Sequence, residues 1–465
     1  MSCAENLAAF VCRAAYEDVS DVAREQLKIR VLDALGCAAG ALEGEPIRLI
    51  RHYLEEFEPR GQCALIGGGS APPDSAALYN GALVRYLDFN DAYLAKGETC
   101  HPSDNVAPIL ASAEYADATG REVMTALAVA YQVQCRLSDV APVRDKGFDH
   151  TTQGSYSVAA GVSKILKLDE SRTANAIAIC GTAFNALRVT RTGRLSHWKG
   201  LAFPNTAACC TRAVFLARNG ITGPLEVCEG DKGFMDAIAG VFDIDWLRED
   251  LGRVKRTILK RYNAEIHSQA AIQGVLDLKQ RHKFSAEEIE RIDIETFDVA
   301  FNIIGGGEEG DKVESIQTKE QADHSLPYII AAAVLDGDVM PAQYEPDRIR
   351  REDVQQLLRR VSVTANPAYS QRFPEEMPCR IQITLRDGQK LTKEIRDYPG
   401  FVSQPMSWET VCKKFSRLAA SSTTETQRKA IIEAVANLEN TRIRDLMQLL
   451  ASIRAQLTEG AKQYA

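Results

Sequence analysis

The spacing of apolar residues changes twice along the chain, and that change constrains the fold more than any single motif. Up to about residue 240 apolar residues recur every three or four positions, the mark of helices burying one face. "SDVAREQLKIRVLDALGCAAGAL" (20–42), opening on a capping Ser-Asp, "DSAALYNGALVRYLDF" (74–89), "DNVAPILASAEYADATG" (104–120) and "EVMTALAVAYQVQCRLSD" (122–139) all show it. So do "GSYSVAAGVSKILKL" (154–168), "DESRTANAIAICGTAF" (169–184) and "NTAACCTRAVFLARNG" (205–220), whose small residues let helices approach closely. Between 285 and 400 the period falls to two, in "ERIDIETFDVAF" (290–301), "RVSVTA" (360–365) and "CRIQITLRDGQKLTKEIRD" (379–397). The last reads as a hairpin about Arg386-Asp387-Gly388-Gln389. Helices are expected between these runs, at 317–336 and near 351–359. From 407 the helical spacing returns through "SWETVCKKFSRLAA", "TETQRKAIIEAVANL" and "RIRDLMQLLASIRAQL". The expected fold is mainly α with an α+β insertion. A large all-helical domain is built from both chain ends, 1–265 with 402–465, and a smaller α+β domain covers 266–401.

A chain of 465 residues exceeds what one core usually supports, which fits two domains. Its net charge of −8 argues against a general nucleic-acid binder while leaving room for a local basic site for an anionic small molecule. No apolar run approaches the roughly 18 residues of a membrane span, and the N-terminal stretch lacks the basic start of a signal peptide, so a cytoplasmic location is expected. The twelve cysteines are scattered, with only Cys209 and Cys210 adjacent. That pattern reads as reduced thiols, against a zinc or iron–sulfur site, so no metal is expected.

The candidate chemistry sits in polar interruptions of the helical pattern. "KGETCHPSDN" (96–105) places His101 before a proline and an Asp-Asn pair. It reads either as a polar loop capped by Ser103 or Asp104, or as a proton-transfer site. His150, in "KGFDHTTQGSY", again precedes a helix start, where it is either part of a cap or close to an anion held by main-chain amides. "RVTRTGRLSHWKG" (188–200) gathers Arg188, Arg191, Arg194, His197 and Lys199, either a solvated face or a polycarboxylate pocket, with Trp198 suggesting partial burial. His267 lies near a helix entry beside the expected domain boundary. "ADHSLPYIIAAAVLDG" (322–337) offers Asp323, His324, Ser325 and Tyr328, of which capping explains Asp323 or Ser325 but not Tyr328. "GGGEEG" (305–310) matches a dinucleotide fingerprint only in form, because its glutamates would repel a pyrophosphate. "IGGGSAPP" (66–73) lacks the lysine and hydroxyl of a phosphate loop.

"VRYLDFNDAYLAKGETCHPSDN" (84–105) resembles the signature of the MmgE/PrpD family, and the likeness continues through "GFDHTTQGSYSVAAGVSK", "SHWKG", "AEIHSQAAI", "HSLPYIIAAAVLDG" and "PMSWETVCKKF". The resemblance implies a large helical domain, a smaller α+β lid, a homodimer, and catalysis with no metal or organic cofactor. Carried over motif by motif, it implies catalytic roles for Asp88, His101, Lys199, His267 and Tyr328. Ala92 stands where the family's decarboxylases carry a threonine, and "HPSDN" is closer to the dehydratases.

The implied reaction is dehydration of 2-methylcitrate or a citrate-like tricarboxylate to a cis-aconitate-type alkene. His101 and His267 would move protons, and Asp88 would orient or charge a histidine. Lys199 with Arg188, Arg191, Arg194, His197 and His150 would hold carboxylates, and Tyr328 would donate to a substrate oxygen. The alternatives are isomerisation, epimerisation or decarboxylation of cis-aconitate or an iminodisuccinate-like compound, and a non-catalytic anion binder.

Overall fold

In the computed structural model, described over residues 1–57, 61–314 and 316–453, helices begin where the sequence offers a side chain to the first free amides. Ser20 accepts from the amide of Ala23 to open Asp21–Gly40, and Asp169 accepts from that of Arg172 to open Glu170–Ala183. Thr119 and Glu122 cap Gly120–Val140 reciprocally, as Thr424 and Gln427 cap Glu425–Ala436. With Cys3–Arg13, Pro73–Tyr86, Val106–Tyr115, Thr151–Ile165 and Trp408–Leu418 these helices form one unit, made of 1–190, 200–257 and the chain from Ser407 onward. Its interior is packed through small residues. A Cβ on Gly154 would stand 2.4 Å from Cε2 of Phe203, and one on Gly161 would stand 2.7 Å from Cδ1 of Ile109. The helix Thr151–Ile165 therefore lies closer to its neighbours than alanine would permit at these positions, and it carries His150 at its entrance.

The second unit comprises 191–199 and 258–406. Its sheet runs in the order Val361–Ala365, Ile289–Thr296, Cys379–Leu385, Lys390–Ile395, the first pair parallel and the others antiparallel. The hairpin registers Thr384 opposite Lys390, which leaves the expected turn residues between them. Along Cys379–Leu385 the buried side chains are Cys379, Ile381, Ile383 and Leu385, the alternation that made the strand legible. The helix Gln269–His282 packs on this face, with Gly274 leaving room for Ile381.

The structure departs from the expected elements in three places. The alternation at 290–301 ends at Thr296, and Asp298–Ile304 is a helix, because Asp298 accepts the Val299 amide while Ser370 accepts that of Asp298. The expected helix 317–336 is two, Lys319–Ala322 and Leu326–Asp336, since Ser325 accepts the Tyr328 amide and so starts the second. Within 84–105 the short strands Tyr93–Ala95 and Glu98–Cys100 pair about Gly97, whose φ of 88° suits the tight turn. Positions 454–457 of the last expected helix lie outside the described residues. No described helix is long and apolar enough to cross a membrane.

Candidate active site

In the helical unit, the segment 88–105 is held by its own polar residues. Asp91 receives the Ser103 amide on one carboxylate oxygen and the Tyr131 hydroxyl on the other, each at 2.9 Å. Burial nevertheless pushes the Asp91 carboxyl above its usual range. Asn90 donates to Ser103 Oγ at 3.0 Å and to Asp104 Oδ1 at 2.8 Å, and Asn105 donates to Gln134 Oε1 at 2.8 Å. The "PSDN" after His101 thus ties its turn to neighbouring segments.

The imidazole is oriented by the same segment. His101 Nδ1 lies 2.7 Å from the carbonyl oxygen of Asp91, so Nδ1 carries the proton and Nε2 bears the lone pair of the neutral ring. The His150 ring stands edge-on to it, with centroids 5.3 Å apart, and stacks on Phe203 at 6.3 Å. Asp149 lies 3.7 Å from His150 Nε2 and 3.8 Å from Arg188 Nη1. Asp88 adopts a φ of 53°, unusual for a residue with a side chain, and accepts from Arg85 Nη1 at 2.6 Å. Arg85 also faces Asp104 at 3.7 Å.

In the second unit the functional side chains gather at the turns that precede two helices. Glu265 Oε2 accepts the amide of His267 while Oε1 lies 2.7 Å from its Nδ1. His267 Nε2 is buried and has no hydrogen-bond partner among the described residues. Phe297 and Phe373 pack against the ring, each with its centroid 5.6 Å away. Burial alone would raise the Glu265 carboxyl, but His267, through charge and hydrogen bond, with His324 and Lys260, brings it down to about 2.

The amide of Glu265 donates to the carbonyl of Asp323, which joins this dyad to a second cluster. Asp323 Oδ1 accepts from Lys199 Nζ at 3.1 Å and lies 2.7 Å from His324 Nδ1, and Oδ2 accepts from Lys319 at 2.7 Å. Burial opposes the Asp323 charge, yet Lys199, Lys319 and His324 hold its carboxyl well below the usual carboxylate range.

The residues singled out in the sequence therefore fall into distinct settings. His101 and His150 come together with Asp149 and Arg188, and Asp88 joins Arg85 and Asp104. Lys199 is buried in the Asp323–His324 cluster and its neighbour Trp198 is half-buried, in line with the partial burial expected. Arg191 is buried, His197 half-buried and Arg194 exposed. Tyr328 is fully buried and its hydroxyl donates to the main-chain carbonyl of Gln343. Glu265 received no role from the sequence, although its place two residues before a histidine was a usable signal. In the sequence Asp323 reads as a cap, and His324 carries no role. Cys3, Cys228 and Glu229 bring possible metal-ligating atoms within 4.8 Å of one another in the helical unit, from sequence positions too distant to pair by inspection.

Residues 5–247 match the model of the MmgE/PrpD N-terminal domain and residues 262–440 that of the MmgE/PrpD C-terminal domain. The chain is 27% identical over 410 residues to 2-methylcitrate dehydratase of Escherichia coli strain K12, covering 83% of each protein. It is 28% identical over 411 residues to 2-methylcitrate dehydratase of Cupriavidus necator, again covering 83% of each. To cis-aconitate decarboxylase of Mus musculus it is 25% identical over 439 residues, covering 89% of this chain and 86% of the relative.

Proposed function

The chain belongs to the MmgE/PrpD family, and from that premise we propose that it is a hydro-lyase that removes water from 2-methylcitrate or a closely related citrate-like tricarboxylate. The observation that carries this reading is His267 Nε2, buried and unpartnered among the described residues, on a ring whose other nitrogen is held by an ionised Glu265. That carboxylate is the partner an imidazolium requires, and it gives His267 the role of acid. His101, whose Nδ1 faces a neutral carbonyl, keeps a basic Nε2 and takes the role of base.

In the reaction, His101 Nε2 takes a proton from carbon next to a substrate carboxylate, and the electron pair of that C–H bond forms the alkene. The adjacent C–O bond breaks as His267 Nε2 delivers a proton to the hydroxyl, which departs as water. Lys199, Arg188, Arg191, Arg194, His197 and His150 bind carboxylates and stabilise the charge that builds on one of them. Asp88 positions Arg85, and Tyr328 ties the helix that follows His324 to the main-chain carbonyl of Gln343. The reading includes a cytoplasmic homodimer whose side chains work without metal or organic cofactor.

Chelator-treated protein incubated with 2-methylcitrate and with citrate should produce the ultraviolet absorbance of a conjugated alkene. Light scattering should give twice the mass of the chain. Release of carbon dioxide from cis-aconitate without dehydration of either hydroxy acid would replace the dehydratase reading by decarboxylation, as in the murine relative. No change with any of the three acids would end both.

A further inference from the structure

Within the second unit a cavity of about 530 Å³ is lined by Arg194, Lys312, Gln317, Thr318 and Gln321, among others. That is a size suited to a small ligand. Lys312 is 7% exposed, and its ammonium makes no hydrogen bond or ion pair with any described residue. A largely buried lysine that lines a cavity and lacks a protein partner for its ammonium suits an anionic ligand that brings the opposite charge.

Two carboxylates, Glu309 and Asp311, line the same cavity. Asp311 accepts the amides of Val313 and Glu314, Glu265 is committed to His267, and Glu309 has partners of its own. The backbone of Lys312 is fixed to the Asp323–His324 turn, because Ser325 Oγ donates to its carbonyl at 2.5 Å.

We propose that Lys312, with Arg194 in the same lining, forms an anion subsite that takes one carboxylate of the polycarboxylate substrate, an inference that rests on the functional reading above. Burial holds the Lys312 ammonium below its usual proton affinity; Glu309, Glu265 and Asp311 oppose that and Lys199 adds to it. An incoming carboxylate restores the charge that burial disfavours.

Calorimetric titration with tricarballylate, an unreactive tricarboxylate, and with glutarate, which lacks its central carboxylate, tests the subsite. Wild-type protein should bind tricarballylate more tightly. Lys312→Met should weaken tricarballylate by roughly 10- to 100-fold, the loss expected when one charge-assisted hydrogen bond goes. Lys312→Arg should recover most of the affinity, and Lys312→Gln serves if the methionine variant does not fold. Equal tricarballylate affinity in wild type and in the uncharged variants overturns the assignment of Lys312 alone. Wild-type protein that binds neither acid sinks the polycarboxylate reading itself, and the subsite with it.

Discussion

The Nδ1 atom of His267 lies 2.7 Å from Oε1 of Glu265, and the other oxygen of that carboxylate accepts the amide of His267. One side chain thus fixes both the backbone and the ring of the proposed acid. Glu265→Gln keeps the size and removes the charge that supports an imidazolium. The turnover number should fall on the order of 10²-fold or more with little change in KM. A Glu265→Gln enzyme with wild-type turnover would remove the dyad from the chemistry.

The same pair predicts how stability depends on acid. The Glu265 carboxyl drops from its ordinary 4.5 to about 2 in the folded chain. Its folded value is below its unfolded one, so it stabilises the fold fully above about 4.5 and loses that contribution as pH falls to about 2. The Asp323 carboxyl, depressed in the same sense, acts in the same direction. Melting temperature should fall between these limits, with a shallower slope for Glu265→Gln. Parallel wild-type and variant curves would show that the pair contributes nothing there.

The assignment of base and acid is separable by the leaving group. Fluoride departs without needing a proton, so a substrate with fluorine in place of the hydroxyl bypasses the acid. His267→Ala should lose roughly 10²-fold or more on the hydroxy acid and recover most of its rate on the fluoro analogue, whereas His101→Ala should fail on both. Recovery by the His101 variant instead would exchange the two roles.

Periodicity carried most of the fold because it reports which face of an element is buried, and strands such as Cys379–Leu385 and helices such as Trp408–Leu418 bury one set of side chains. It failed where a local side chain overrides the pattern. Asp298 starts a helix inside an alternating run, and Ser325 divides a helical one. For the site, His101 and His267 were legible as histidines in polar interruptions of the helical pattern. The partner of His101 was not, since Asp91 meets it through its main chain, and neither was that of Lys199, since Asp323 lies 124 positions away in sequence. Lys312 stands in a charged stretch that reads as solvated surface, and only the fold reveals its burial.

Arg85 is 2% exposed and faces two carboxylates, Asp88 at 2.6 Å and Asp104 at 3.7 Å. Arg85→Met would leave both charges buried without that partner, a class of change that costs about 3–5 kcal/mol. The loss should shrink as the pH is lowered and the carboxylates take up protons. Denaturant titrations of both proteins at neutral and acidic pH measure it. A loss that grows with acidity would show that the guanidinium is not what keeps these carboxylates charged.

Gly154 lies one turn into the helix Thr151–Ile165, where an added Cβ would come within 2.4 Å of the Phe203 ring. Phe203 is itself buried and stacks on His150, so it cannot yield without disturbing that ring. Overpacking of this kind costs about 1–3 kcal/mol. Gly154→Ala should therefore lower the melting temperature, and because the displaced ring supports His150, it should also lower turnover. At Gly161 the nearest atom is the end of a flexible side chain, Ile109 Cδ1, which can rotate, so Gly161→Ala should destabilise less and leave turnover closer to wild type. Thermal melts and steady-state rates on the two variants compare these positions directly. A Gly154→Ala enzyme as stable and as active as Gly161→Ala would show that Phe203 does not hold His150 in place.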